Sequence, residues 1–354
     1  MELNPQSLNL NPSIVQSVAA VLPDHYARRT APSILSTTTT GGRRTLVTPS
    51  GLEVVINGAP RSIPQANIDL ATAANWDTAY AAWATAANRI GKDLYLYATL
   101  DRLIVSPNAT VPTGYTADSS RKIIGFQCVP ADIVGVAASH EAYGFLAGDI
   151  AYPSIWDLLF RPECAPEGMS WDPKVNLWVD IWLQSGTGTT TASVMGGTIT
   201  DTREQYNHAK DFAAVGKRML DIAEFEITAS GSPEAVNIAG SADPVVTGAT
   251  LATNGASQVS HRFCWQMTGV MYQWCRDTGY RNDDASYSGA WSWKSTGGAG
   301  QQYTQGAIGA VGLLAGGFWP DGSYCGSRCR RANDARSAAS AISGSRGCAR
   351  SRGA

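Results

Sequence analysis

Two hydrophobic rhythms divide the chain. Over 44–63 ("RTLVTPSGLEVVINGAPRSI") short apolar runs are parted by Pro-Ser-Gly, and over 92–106 ("KDLYLYATLDRLIVS") by Asp-Arg, predicting two pairs of short strands. Between them, in "NWDTAYAAWATAANRIG" (75–91), Trp76, Tyr80, Trp83 and Ile90 recur at helical spacing and Gly91 supplies a stop. A helix packed on the sheet is the expected reading of this aromatic stripe, ahead of a platform for sugars. Upstream, Asn11-Pro12 is an N-cap and first-turn pair for a short helix over 12–22, and "STTTTGG" (36–42) reads as a linker.

The second rhythm begins after "AGDIAYPS". Tryptophan-rich strands ("NLWVDIWLQSG", 176–186) precede a long amphipathic stretch over 202–229, read as one helix. A Gly/Ala/Thr/Asn-rich loop over 228–259 then leads to "RFCWQMTGVMYQWCRDTGY" and the closing stretch. The expected organisation is an attachment segment (1–42), a small β-sandwich-like domain (43–148) and a larger mixed domain (149–354). The fold class is α+β and β-rich, and no internal repeat is visible.

Composition agrees with that class. The chain of 354 residues is 44% hydrophobic but only 16% charged, with 36 glycines, which suits many tight turns. The formal net charge of −2 advertises neither nucleic acid nor a membrane surface as a partner. From Asp321 to the end, however, seven Arg stand against two Asp. The longest apolar run, 307–319, is too short and glycine-rich to span a bilayer. No secretory signal opens the sequence, so synthesis in a cytoplasm with mostly free thiols is expected.

Candidate chemistry is sparse. The four histidines form no HxxH pair, Cys264 and Cys275 lack zinc spacing, and no nucleophile elbow, P-loop or dinucleotide motif is found. No cofactor, metal or catalytic residue is therefore expected. Cys325 and Cys329 lie among arginines, an environment that would lower a thiol pKa. With seven cysteines in all, no obligatory disulfide framework is expected, and replacing that pair by Ser should leave folding largely intact.

Several segments in order carry a resemblance: "VPTGYTADSSRKIIGF" (111–126), "SIWDLLFRPECAPEGM" (154–169), "LWVDIWL" (177–183), "GKRMLDIAEFE" (216–226), "GVMYQWCRD" (269–277), "GGFW" (316–319) and "GSRGCA" (344–349). Together they resemble the tropism-determining variable proteins of diversity-generating retroelements, which have the formylglycine-generating-enzyme type of C-type lectin fold. The resemblance runs over about 45–348. In that family, adenines at the 3′ end of the gene are rewritten and the altered residues make a ligand-binding surface. It implies a phage tail-tip, receptor-binding trimer on the virion, with tail-fibre proteins and a host-surface protein or glycan as partners and no membrane insertion.

The positions the resemblance carries over are Phe318, Pro320, Asp321, Gly322, Tyr324, Arg331, Asn333, Asp334, Ala338, Ser340, Ile342 and Ser343. Rewriting adenines of a pyrimidine-ended asparagine codon never gives Lys, Glu, Gln, Met or Trp, and none of these positions holds one. Positions 318, 320, 322 and 324 alternate, as do 338, 340 and 342, predicting extended segments with these side chains facing solvent. Trp319, Gly326, Arg328, Gly344 and Arg346 are expected to be buried scaffold, the arginines binding loop carbonyls. Two alternatives share the fold: an oxidase making formylglycine, for which Cys325 and Cys329 are one residue too close together, and a cell-surface display protein.

Overall fold

The computed structural model describes residues 35–36, 43–48, 52–158, 160–249, 251, 258–281, 292–295, 300–304, 309–332 and 334–352. The helix expected over 12–22 and the linker residues 37–42 lie outside them. The chain divides into two compact units. One takes in residues up to Asn88 with Leu94–Phe126 and Ile155–Leu159, and the other Arg89–Asp93, Gln127–Ser154 and Phe160–Ala354.

In the first unit the strands are β1 (Leu35–Ser36), β2 (Thr45–Val47), β3 (Leu52–Ile56), β4 (Ala59–Ile63), β5 (Asn67–Asp69), β6 (Asp93–Thr99), β7 (Leu103–Ser106), β8 (Ser120–Gln127) and β9 (Trp156–Asp157). They pair as β1-β2-β5, β3-β4 and β7-β6-β8-β9. The pair predicted in 92–106 is β6 and β7. The β3-β4 hairpin turns on Asn57 and Gly58, both at positive φ (50° and 71°), the two-residue turn whose twist suits antiparallel strands. Gly125 on β8 lies opposite Trp156, and a Cβ there would stand 2.2 Å from the indole, so only glycine admits that ring.

Residues 75–91 do not form the expected helix. They make short 3-10 turns, Thr78–Ala84 being the longest, with Tyr80 non-helical and Thr85 extended. Asp77 caps the start of the longest turn, accepting the Ala79 N–H (3.1 Å), and is tied at the same time to the Thr113 N–H (2.6 Å) and the Ser106 hydroxyl (3.1 Å). Tertiary contacts of this kind override helical spacing. The packing role holds nonetheless. Trp76 is buried with its indole N–H on the Leu70 carbonyl (2.9 Å), and Trp83 rests 5.5 Å from Tyr80.

The second unit contains β10 (Met169–Asp172), β11 (Leu177–Asp180), β12 (Arg218–Met219), β13 (Tyr272–Arg281), β14 (Ser292–Ser295), β15 (Gln301–Thr304), β16 (Gly309–Gly316), β17 (Gly326–Arg331), β18 (Ser343–Ser345) and β19 (Gly347–Ala349). Its sheets run β10-β11-β19-β12 and β14-β15-β17-β16-β13-β18. Helices α1 (Gln205–Ala214) and α2 (Ile222–Thr228) replace the single helix expected over 202–229. Gly216, at φ +73°, ends the first, and β12 then pairs with β19. Lys217 between them reaches the buried Asp180 carboxylate at 2.6 Å, a tie that a continuous helix would forgo.

Arg346 is the pin of this unit. It is 1% exposed, and its guanidinium donates to the carbonyls of Asp180 and Trp265 (2.6 Å each) and to Gln273 Oε1 (3.1 Å). A planar fork meets three acceptors that no other side chain could satisfy together. Gly347 follows because a Cβ would come within 2.5 Å of the Asp180 carboxylate and 2.8 Å of the Phe212 ring. The "GSRG" motif is thus core, as expected.

Candidate ligand-binding surface

Strands β16 and β17 are antiparallel neighbours, and the connector between them, 317–325, holds five of the twelve carried-over positions. It begins with two left-handed glycines, Gly316 (φ +93°) and Gly317 (φ +80°). A Cβ on the first would lie 2.5 Å from the Met267 carbonyl, and on the second 2.8 Å from the Cys325 sulfur. Both conformation and space therefore demand glycine here.

The connector is not the extended segment that alternation predicts. Phe318 forms an isolated bridge with Val270, the chain then turns, and Gly322–Tyr324 is a 3-10 turn. Asp321 organises it. Its carboxylate accepts the Phe318 N–H (3.1 Å), and its own N–H donates to the Phe318 carbonyl (3.0 Å). Burial raises the Asp321 carboxyl pKa, and a hydrogen bond from the Tyr272 hydroxyl acts against that rise. Pro320 and Tyr324 are exposed at the tip, and nothing lies within 4 Å of where a Gly322 Cβ would be.

Tyr272, on β13, is the residue that sequence reasoning missed. Phe318 stacks on its ring (centroids 5.2 Å apart, planes at 25°), and the Arg331 guanidinium stands 5.4 Å from the ring centroid. Its N–H donates to the Ile342 carbonyl (3.1 Å), and it pairs in register with Ser343. One buried tyrosine thus gathers Phe318, Asp321, Arg331, Ile342 and Ser343. Arg331 is further held by Asp334 (2.8 Å). A signal was present: "GVMYQWC" is a run of large side chains with no polar face, as a strand buried on both sides requires.

The remaining positions lie on the return segment. Ala338 and Ser340 are half-buried on an irregular stretch whose Ser340 carbonyl accepts the Thr202 N–H (3.0 Å). Ile342 packs against the Phe212, Tyr272, Trp274 and Leu314 cluster. Ser343 is 1% exposed, its hydroxyl donating to the Ser340 carbonyl (3.0 Å). Asn333 lies outside the described residues. The twelve are therefore not uniformly solvent-facing: an exposed tip grades into a packed base. The base exists because Tyr272 draws neighbouring side chains inward.

Three scaffold expectations need correction. Trp319 is half-buried, packed against the cluster of Leu183, Ile199, Ile238, Val270 and Met271. Arg328 is exposed, where buried scaffold was expected, and pairs with the Glu226 carboxylate, which also receives Arg330 at 3.0 Å. The cysteine environment is the reverse of that expected. Cys325 and Cys329 are buried, and burial pushes the Cys325 thiol up to about 12 and raises the Cys329 thiol as well. At Cys329 desolvation outweighs the lowering by Arg330. All seven cysteines are free.

Comparison with known proteins agrees with this geometry. Residues 54–157 match the family described as Mtd second domain. The tail fiber receptor-binding protein of Bordetella phage BPP-1 is 29% identical over 265 residues, 67% of this chain. The match spans 65% of that protein, just under two thirds of its length. Among solved structures, the Major Tropism Determinant I1 Variant superposes with a TM-score of 0.73 at 25% identity, covering 95% of this chain and 87% of that one. The U1 Variant gives 0.72 at 26% identity, covering 94% and 87%. The α+β, β-rich architecture is thus that of the C-type lectin-like tropism determinants, and the chain resembles the Major Tropism Determinants along nearly its whole length.

Proposed function

We propose that this chain is a phage tail-tip receptor-binding protein that fixes host tropism, gripping a host-surface molecule through its diversified lectin-like surface. The observation that carries the reading is the connector 317–325, whose glycine-hinged backbone is held while Pro320 and Tyr324 stand in solvent and space is open around Gly322. The likeness to a tail fiber receptor-binding protein supports the same reading. Adhesion at the virion tail follows, with the twelve positions rewritten by a diversity-generating retroelement. Residues 1–42 then attach the chain to tail-fibre proteins, 43–148 form a β domain and 149–354 present the site. A trimer would multiply weak contacts through avidity.

No cofactor or catalytic group enters this account. Among the described residues no helix is long and apolar enough to cross a membrane. The oxidase alternative is disfavoured because its cysteine pair would need ready thiolates, whereas Cys325 and Cys329 hold their protons well above neutral pH.

The test is a paired series measured for melting temperature and host-cell adsorption. Tyr324→Ser is expected to change adsorption while leaving the melting temperature in place. Arg346→Ala is expected to lower the melting temperature sharply. Unchanged adsorption across Tyr324→Ser, Pro320→Ser and Gly322→Ser would sink the proposed surface.

A further inference from the structure

The loop Glu234–Asn237 lies outside the closing stretch, yet it touches the connector region at three points. Both carboxylate oxygens of Glu234 accept the Ser327 N–H (3.2 and 3.1 Å). The Ala235 N–H donates to the Cys325 carbonyl (2.9 Å), and the Asn237 side-chain amide donates to the Trp319 carbonyl. The groups grasped are the main chain of 319, 325 and 327 and the Ser327 hydroxyl, none of them a side chain of the tip. The clamp therefore works whatever side chains occupy 320, 322 and 324.

The loop's own shape is imposed. Ala235 sits at φ +58°, a left-handed conformation that a residue with a Cβ rarely adopts, and this aims its N–H at Cys325. The loop rests on Gly269, where a Cβ would stand 2.4 Å from the Val236 carbonyl and 2.8 Å from the Asn237 Cα. Between these ties sits Val236, 49% exposed. Its neighbours on either side are tied to residues 325 and 319, the two positions that bracket the exposed tip 320–324.

We propose that Glu234–Asn237 is a constant wall of the binding face and that Val236 is a ligand contact shared by all variants, taking an apolar patch on a host-surface protein. The inference rests on the receptor-binding reading above. Valine offers no hydrogen-bonding group, so its gain comes only from apolar contact, which favours a protein ligand over a polyhydroxylated one. The side chain is β-branched and its backbone is already held on both sides, so little ordering is lost on binding. The rewritten positions then choose among ligands, while Val236 adds the same increment to each.

The experiment uses particles carrying the full chain, with whole host cells as the probe. Val236→Asp is expected to reduce adsorption about tenfold, the scale of losing one apolar side-chain contact, with an unchanged melting temperature. Val236→Thr, nearly the same shape but half polar, is expected to fall between it and wild type, and Val236→Ile to retain adsorption. The loss should recur by a similar factor in chains bearing different residues at 320 and 324. If Tyr324→Ser alters adsorption but both Val236→Asp and Val236→Thr adsorb normally, this inference is wrong and the receptor-binding reading stands. If none of them has any effect, both fall. Should Val236→Asp lower the melting temperature, Val236→Thr at wild-type stability decides the matter alone.

Discussion

The connector 317–325 and the closing segment 344–349 belong to the same unit but are held by opposite means. In the closing segment, side chains do the holding: Arg346 takes two carbonyls and Gln273, and the Ser345 hydroxyl takes the Trp274 carbonyl (2.9 Å). In the connector, the clamping loop grips the backbone carbonyls of Trp319 and Cys325 and the N–H of Ser327 just beyond it, and the half-buried Asp321 adds a side-chain tie to the Phe318 N–H. A segment held by its side chains cannot exchange them. One held by its backbone can.

The largest expected effect lies in the closing segment. Arg346→Ala removes three hydrogen bonds and leaves buried acceptors unpaired, which should cost about 3–5 kcal/mol in urea unfolding. Arg346→Lys should recover little of it, since one ammonium cannot reach three divergent acceptors. A cost as small as that of an exposed position would erase the contrast between the two segments.

Asp93 provides a pH signature from the scaffold, away from both segments. Burial raises its carboxyl to about 7, against the Gly168 N–H bond that lowers it. The native state therefore keeps this proton at pH values where the unfolded chain has lost it. Stability from this group is full below about pH 4 and declines as pH rises through 7, by on the order of 4 kcal/mol. Asp93→Asn should flatten that slope without altering adsorption. An unchanged pH profile in this variant would assign the dependence to other groups.

Smaller effects are expected at the thiols. Cys329→Ser places a hydroxyl where burial is complete and should cost about 1–3 kcal/mol, whereas the more accessible Cys164→Ser should stay within about 0.5 kcal/mol. Intact folding in Cys329→Ser at full stability would mean that its pocket can hydrate. The smallest stability change belongs to Tyr324→Ser, within about 0.5 kcal/mol, read by calorimetry beside adsorption. A large loss there would show that the tip is structural.

What was legible in the sequence follows from how local its cause is. The strands in 92–106 are legible because alternation is a local signal, whereas the buried "GSRG" is legible through the family resemblance. The Asn57-Gly58 turn was equally local and was overlooked between the apolar residues that flank it. The 3-10 turns near Trp76 and the broken stretch 202–229 were not legible, because Asp77 and Lys217 are claimed by Thr113 and Asp180, residues distant in sequence. The same holds at the site. Alternation suggested an exposed face, while Tyr272 pulls Phe318 and Ile342 inward from a strand more than forty residues upstream of the nearer one. Arginine-rich surroundings suggested reactive thiols, while desolvation, a property of the folded interior, decides the outcome.

The glycine pair at the head of the connector has a consequence at the level of codons. Every glycine codon begins with two guanines, so a mutator confined to adenines could reach only the third base, where any change is silent. The tryptophan codon and both cysteine codons contain no adenine at all. Gly316, Gly317, Trp319, Cys325 and Gly326 are thus spelled in letters that such rewriting passes over. The hinge that admits no Cβ would be inherited unaltered through every round of diversification, with no need for selection to discard broken copies.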